Sequence, residues 1–284
     1  MALVLTANRL KTYASFIKLE HTVFSLPLIY AGALLGVDDV LSARLVLLIL
    51  MAAIGGRVAA LGFNRLIDVG IDRRNPRTRI RELPRGAMQR WEGWLVVAIG
   101  GALYLASAAA IAPICLQLAP IPLVLFAGYP YLKRFTSLSH LGLGLAWSMA
   151  PLGGWLAASQ SLATIGEVGW LWLFSLLWVC GFDIIYATMD EGFDREFGLH
   201  SLVVRLGRRR ALQVAAIIHA VTFVSLYALW RTQLHSPLAL VWLLGIGALF
   251  IWQHAIAERN PEFAFFQLNG ALGFVVLGFV VAGT

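Results

Sequence analysis

The chain has 284 residues, 60% of them hydrophobic and only 13% charged, well below the roughly 25% charge of soluble domains. That balance excludes a soluble globular protein and leaves no polar stretch for a separate soluble domain, so 1–284 reads as a single membrane-embedded unit lying in the lipid bilayer. The net charge of +7 says less than the placement of the basic residues.

Arg9, Lys11 and Lys18 lead into the first apolar run, which is too long for a signal peptide and ends without a small-residue cleavage site; it reads as a retained span. Apolar runs predict helices over 15–37, 43–67, 92–112, 116–132, 138–160, 167–189, 209–230, 236–257 and 263–283. The expected fold is therefore all-α and polytopic, with nine transmembrane helices. Pro113, Pro120, Pro151 and Pro237 fall near helix ends or where neighbouring helices must absorb a lost hydrogen bond. Cys115 and Cys180 lie in separate apolar runs without CxxC spacing and read as small buried hydrophobes.

Charge supports the count. With nine spans, the N-terminal segment and the second, fourth, sixth and eighth loops, with their flanking helix ends, share one side and hold 19 of the 22 Lys and Arg. The other side keeps Arg44 and Arg231, and Arg57 lies inside a span. The positive-inside rule places the N-terminus and the richly basic loops in the cytoplasm.

The second span ends in Asn64-Arg65-Leu66-Ile67-Asp68-Val69-Gly70-Ile71-Asp72. On a helix Asn64, Asp68 and Asp72 leave one face, one turn above another, as a column of oxygen ligands. Neighbouring carboxylates repel unless a cation or proton lies between them, and hard oxygen donors suit Mg2+ shared with a phosphate. The pattern returns after the sixth span, where Asp190-Glu191-Gly192-Phe193-Asp194-Arg195 matches Asp68-Val69-Gly70-Ile71-Asp72-Arg73. Two such columns facing each other could hold two metal ions. Arg77, Arg79, Arg81 and Arg85 follow closely, and guanidinium groups beside metal-binding acids suit a diphosphate. Gly70 and Gly192 each stand inside an acidic pair, where either the helix turns out of the membrane or a backbone or ligand approaches closely.

Ionisable groups within spans are candidates for function. Arg57 is two turns deeper than Asn64 on the same face; it suits the carboxylate of a substrate, or a salt bridge to another span. Asp183, nearly two turns inside the sixth span, could complete the metal site, take up a proton, or pair with Arg57. Glu20 and His21 enter the first span, Tyr129 and Tyr131 read as interface anchors, and Lys133 is either a positive-inside residue or a phosphate ligand. His219, His235 and His254 look isolated.

These motifs together resemble the UbiA superfamily of intramembrane aromatic prenyltransferases. Its N-x-x-x-D-x-x-x-D is met by Asn64, Asp68 and Asp72, its Y-x-x-x-D-x-x-x-D by Tyr186, Asp190 and Asp194, and its Tyr-Pro-x-x-Lys-Arg stretch by Tyr129, Pro130, Lys133 and Arg134. The resemblance implies nine helices around a central cavity open to lipid, with a small cytoplasmic cap formed by the loops after helices 2 and 6. It implies two Mg2+ ions on the acidic columns, bridged by a polyprenyl diphosphate whose oxygens Arg77, Arg81 and Lys133 hold. An aromatic acceptor such as 4-hydroxybenzoate would then attack the allylic cation, with Asp183 near the proton that leaves and Tyr129 or Tyr186 orienting the partners.

Lys18 to Pro27 and the span-four motif look like the 4-hydroxybenzoate branch and its relatives in menaquinone synthesis. Glu20-His21-Thr22 departs from the Asp-Lys-Pro type of sequence in some 4-hydroxybenzoate enzymes and leaves the acceptor open between these. The setting expected is a prokaryotic inner or cell membrane, with no nucleic-acid partner. A CDP-alcohol phosphotransferase would crowd its aspartates into one signature, whereas Asp68 and Asp190 stand 122 positions apart. A divalent-cation or proton transporter would place its acids near the midplane, and most of these lie at the rim beside arginines.

Overall fold

The computed structural model describes residues 2–18, 25–37 and 39–284. The fold is all-helical among them. In chain order the helices are α1 (Ala2–Ile17), α2 (Leu26–Leu35), α3 (Ala43–Ile67), α4 (Val69–Asp72), α5 (Arg90–Ile111), α6 (Pro113–Leu118), α7 (Pro120–Leu132) and α8 (Ser139–Ser159). Then follow α9 (Gly169–Ala187), α10 (Glu191–Glu196), α11 (Leu202–Leu206), α12 (Arg208–Leu229), α13 (Pro237–Ile256) and α14 (Pro261–Val281). Among the described residues eight helical segments are long and apolar enough to cross a bilayer, with α6 and α7 acting as one. The protein is an integral membrane protein.

The run at 15–37 is not one continuous helix. Its described parts are the end of α1, which stops at Ile17, and α2, an apolar helix of 10 residues, or about 15 Å of rise. The expectations for Glu20 and His21 lie outside the described residues. α1 is an extra element that the apolar pattern did not predict. Phe16 is its anchor, fully buried with Leu66, Leu83, Met88 and Val97, while Arg9 and Tyr13 reach Glu92 at 2.8 and 2.7 Å.

Helix starts follow local chemistry. Pro113, Pro120, Pro237 and Pro261 each open a helix where a missing N–H costs nothing. Ser42 and Asn260 cap α3 and α14 by accepting from Leu45 N at 3.2 Å and Phe263 N at 3.1 Å. Pro120 also divides the predicted fourth span, so that α6 and α7 meet at Ala119.

Two glycines set the closest helix contact. A Cβ on Gly32 of α2 would lie 2.1 Å from the Pro151 carbonyl oxygen of α8, and one on Gly154 would lie 1.8 Å from the Ile29 oxygen. Only small residues let two backbones approach this closely, the usual basis of helix association in lipid.

The two halves of the bundle are filled differently. Phe174, Trp178 and Phe182 of α9 stack and pack with α12 to α14 into the main core. Several polar groups inside it are paired with each other, which a membrane interior favours. Trp178 Nε1 donates to Asn269 Oδ1 at 2.9 Å, and His219 Nδ1 lies 2.8 Å from His254 Nε2. His219 and His254 are therefore a pair across α12 and α13, which their separation in sequence concealed. The half built from α2, α3, α5, α7 and α8 instead encloses a cavity of about 530 Å³.

Candidate active site

The first acidic column forms where α3 stops. Asp68 has φ −90° and ψ 0°, ending α3 and opening the short α4. The Asp68 N–H still donates to the Asn64 oxygen at 3.0 Å and the Asp72 N–H to the Asp68 oxygen at 2.8 Å. The i,i+4 column thus survives a break in the helix. The second column repeats the later half of this build: α9 ends at Ala187, the Asp190 N–H donates to the Ala187 oxygen at 3.1 Å, Asp190 opens α10, and the Asp194 N–H donates to the Asp190 oxygen at 2.8 Å. Gly70 and Gly192 sit just after these breaks with no atom within 4 Å of a Cβ placed on them. The turn of the chain, rather than close packing against either glycine, is the feature seen there.

The loop after α3 carries the first column to the second. It is pinned by Glu82, which makes a buried ion pair with Arg65 and accepts from Ser15 Oγ at 2.5 Å. Burial works to raise the Glu82 carboxyl, but these hydrogen bonds outweigh it and hold the group below the usual range. From that loop Asn75 Nδ2 donates to Asp190 Oδ1 at 2.9 Å. Arg77 donates to the same carboxylate from Nε at 3.0 Å and from a terminal nitrogen, and to the Tyr186 hydroxyl. Its guanidinium also lies 4.6 Å from the centre of the Tyr186 ring.

Of Asp68, Asp72, Asp183, Asp190 and Asp194, all but Asp194 have a basic or imidazole partner among the described residues. Lys133 Nζ donates to Asp68 Oδ2 at 2.5 Å, with Asn64 Nδ2 on the same oxygen at 3.2 Å. Arg81 holds Asp72 at 2.8 Å. Burial pushes the Asp68 carboxyl up against the pull of Lys133. Burial and the neighbouring Asp190 charge raise Asp194 to about 6, and among the described residues it forms no ion pair. Asp68 Oδ1 is buried without a hydrogen bond. Among the described residues no three His, Cys, Asp or Glu side chains gather closely enough to hold a metal ion alone. Basic side chains partner the carboxylates, so a cation would need oxygens from a ligand as well.

Below this rim lies the cavity, walled by Tyr104, Phe126, Trp147 and Trp155 with Arg57 and Tyr129 among its lining. It reaches Leu162 and Ile165, beyond the far end of α8. Tyr129 is a cavity residue, not an interface anchor, whereas Tyr131 is exposed as expected and lies under Arg134 at 4.9 Å. Arg57 has its guanidinium 5.4 Å from the Trp147 ring centre and its Nε buried without a hydrogen bond. Among the described residues it pairs with no acid, so the interhelical salt bridge is not seen.

Asp183 pairs instead with His140, a residue the sequence pattern did not single out. His140 Nε2 accepts from the Leu202 N–H at 3.3 Å, so the ring proton sits on Nδ1 and is donated to Asp183 Oδ2 at 2.7 Å. Its partners lie 43 and 62 residues away in sequence, and no local spacing could have revealed them.

Comparison with known proteins agrees with the all-helical membrane fold. The sequence profile of the UbiA prenyltransferase family matches residues 25–279. The chain belongs to the UbiA prenyltransferase family. A 4-hydroxybenzoate octaprenyltransferase of Vibrio vulnificus is 27% identical over 98% of this chain and 99% of its own. The apo structure of a UbiA homolog from Aeropyrum pernix K1 superposes with TM-score 0.86 at 35% identity, covering 93% of this chain and 98% of that one. A UbiA homolog from Archaeoglobus fulgidus solved with GPP and Mg2+ shares the fold, with TM-score 0.70 at 21% identity over 96% of this chain and 100% of its own.

Proposed function

We propose that this UbiA family member transfers a polyprenyl group from a polyprenyl diphosphate to an aromatic acid, 4-hydroxybenzoate or a related quinone precursor. The observation that carries this is the meeting of two acidic columns, linked through Asn75 and Arg77, above an apolar cavity that holds an unpaired arginine. The relative from Vibrio vulnificus, named for 4-hydroxybenzoate, supports the acceptor class.

The donor set fits magnesium. Asn64, Asp68, Asp72, Asp190 and Asp194 offer hard oxygens, and Asp68 Oδ1 is buried without a hydrogen bond among the described residues, with Arg134 3.5 Å away. Two ions, one per column, are the arrangement we favour, and when bound they neutralise diphosphate oxygens as the leaving group gains charge. Arg77, Arg81 and Lys133 exchange their carboxylate partners for those oxygens. The apolar walls exclude water, and the isoprenoid tail follows the cavity toward Leu162 and Ile165.

Arg57 binds the acceptor carboxylate, and Tyr129 and Tyr186 set the reacting groups. The allylic C–O bond breaks, the ring carbon forms the new C–C bond, and its proton passes to Asp183, oriented by its hydrogen bond with His140. The whole chain, 1–284, acts as one domain in a prokaryotic inner or cell membrane, with the N-terminus and acidic loops cytoplasmic, as its basic residues suggest. The test is a mass spectrum of products formed by purified protein from a panel of aromatic acids and prenyl diphosphates with magnesium. A prenylated aromatic acid supports the reading, and no prenylated product with any pair overturns it.

A further inference from the structure

A second concave site of about 390 Å³ lies at the same end of the bundle, on the reverse side of the acidic columns. Its lining takes Val69, Gly70 and Ile71 from between Asp68 and Asp72, and Phe193 and Phe197 from α10, but none of the four motif acids. Three arginines converge on it from separate segments: Arg74 from the loop after α3, Arg90 from the start of α5, and Arg134 from the end of α7. Among the described residues no carboxylate lines it.

Arg74 and Arg90 form no ion pair among the described residues. Arg74 lies 6.0 Å from the Phe197 ring centre, and Phe197 stacks on Phe193 at 4.4 Å. Arg134 spends one nitrogen on the Ile67 carbonyl at 2.8 Å and stands 3.5 Å from Asp68 Oδ1, while its Nε is buried with no hydrogen bond. Loop arginines selected only for topology would face water singly; here three share one apolar-floored hollow.

Exposed apolar side chains fix the level of the pocket. Trp91, Trp94 and Leu95 follow Arg90, and Phe135 and Leu138 follow Arg134, all turned outward. Such residues mark the boundary between hydrocarbon and headgroups. We propose that this pocket is an anion site for a phosphate group, and that the phosphate is the headgroup of an anionic membrane lipid. Arginine grips phosphate oxygens in pairs, the aromatic floor accepts the glycerol end, and the acyl chains leave along the outward face of α5. The site adjoins the diphosphate site through Arg134, takes none of Arg77, Arg81 and Lys133 into its lining, and does not depend on the acceptor assigned above.

The full-length protein is purified in detergent, incubated with phosphatidylglycerol or phosphatidylcholine, and examined by native mass spectrometry. Wild type retains a phosphatidylglycerol adduct. An arginine facing an anionic headgroup is worth about fivefold in binding, so the double variant R74Q/R90Q weakens retention about 25-fold. The control R79Q/R85Q removes the same charge from exposed loop positions outside the pocket and keeps the adduct. Prenyl transfer by R74Q/R90Q in phosphatidylcholine bilayers shows that it is folded. Equal loss in both double variants means diffuse attraction to a basic surface and overturns the site, as does equal retention of the two lipids by wild type. Wild type that ignores phosphatidylglycerol but is stabilised by inorganic phosphate, with R74Q/R90Q unresponsive, keeps the anion site and overturns the lipid as its source.

Discussion

Replacing Arg57 with methionine removes a buried charge that no acidic side chain among the described residues neutralises. Among the described residues its Nε has no hydrogen bond, and its guanidinium makes a favourable contact with the Trp147 ring at 5.4 Å. A cation–π contact of this kind contributes up to about 2 kcal/mol when desolvated, whereas burying an unpaired ion costs several kcal/mol. The ligand-free R57M protein is therefore expected to unfold at the same temperature as wild type or higher. Binding of an acid acceptor reverses the balance, because a buried charge pair truncated on one side loses about 2 to 5 kcal/mol. That corresponds to a drop of about 30- to 5,000-fold in kcat/KM. The assay compares 4-hydroxybenzoate with the neutral 4-hydroxybenzamide at saturating geranyl diphosphate and magnesium. The acid should lose by the full factor and the amide by little. An equal loss for both acceptors, or a sharply lower unfolding temperature, would refute the reasoning.

Asp183→Asn is expected to lower kcat by about 10²- to 10⁴-fold, the usual range for a positioned general base, with geranyl diphosphate binding retained. His140→Leu should fall partway towards that loss, and His140→Asn, whose amide can still donate toward Asp183, should recover much of it; equal activity of all three variants and wild type would remove the pair from the mechanism. Arg65→Met leaves Glu82, only 6% exposed, without its counter-ion, and should cost about 3 to 5 kcal/mol of stability, seen as a lower unfolding temperature. The double change R65M/E82M should unfold above R65M alone, and a double variant as unstable as the single would show that the charge pair is not what pins the loop.

The acidic columns were legible because their spacing survives the helix breaks: Asp68 ends α3 and opens α4, Asp190 opens α10 just after α9, and each accepts the backbone bond of the aspartate four residues on. The apolar runs located the long spans for the same reason, since a span must satisfy its own backbone. What stayed hidden depends on tertiary contact. Asn75 meets Asp190 across 115 residues and His140 meets Asp183 across 43, and neither has a local pattern. The start of the chain was misjudged because hydropathy averages over residues 15–37 and cannot see that Phe16 is buried against the α3 end of the bundle. Arg57 lines the cavity, and its lack of an acidic partner among the described residues is a fact of packing.

The central claim is that the two acidic columns act together on one diphosphate. Titration calorimetry of geranyl diphosphate into the purified protein, with and without magnesium, tests it in wild type, Asp68→Asn and Asp190→Asn. Magnesium-dependent binding in wild type, lost to a similar extent in each single variant, is the predicted result. Binding that ignores magnesium, or that survives intact when either column is changed, would contradict it.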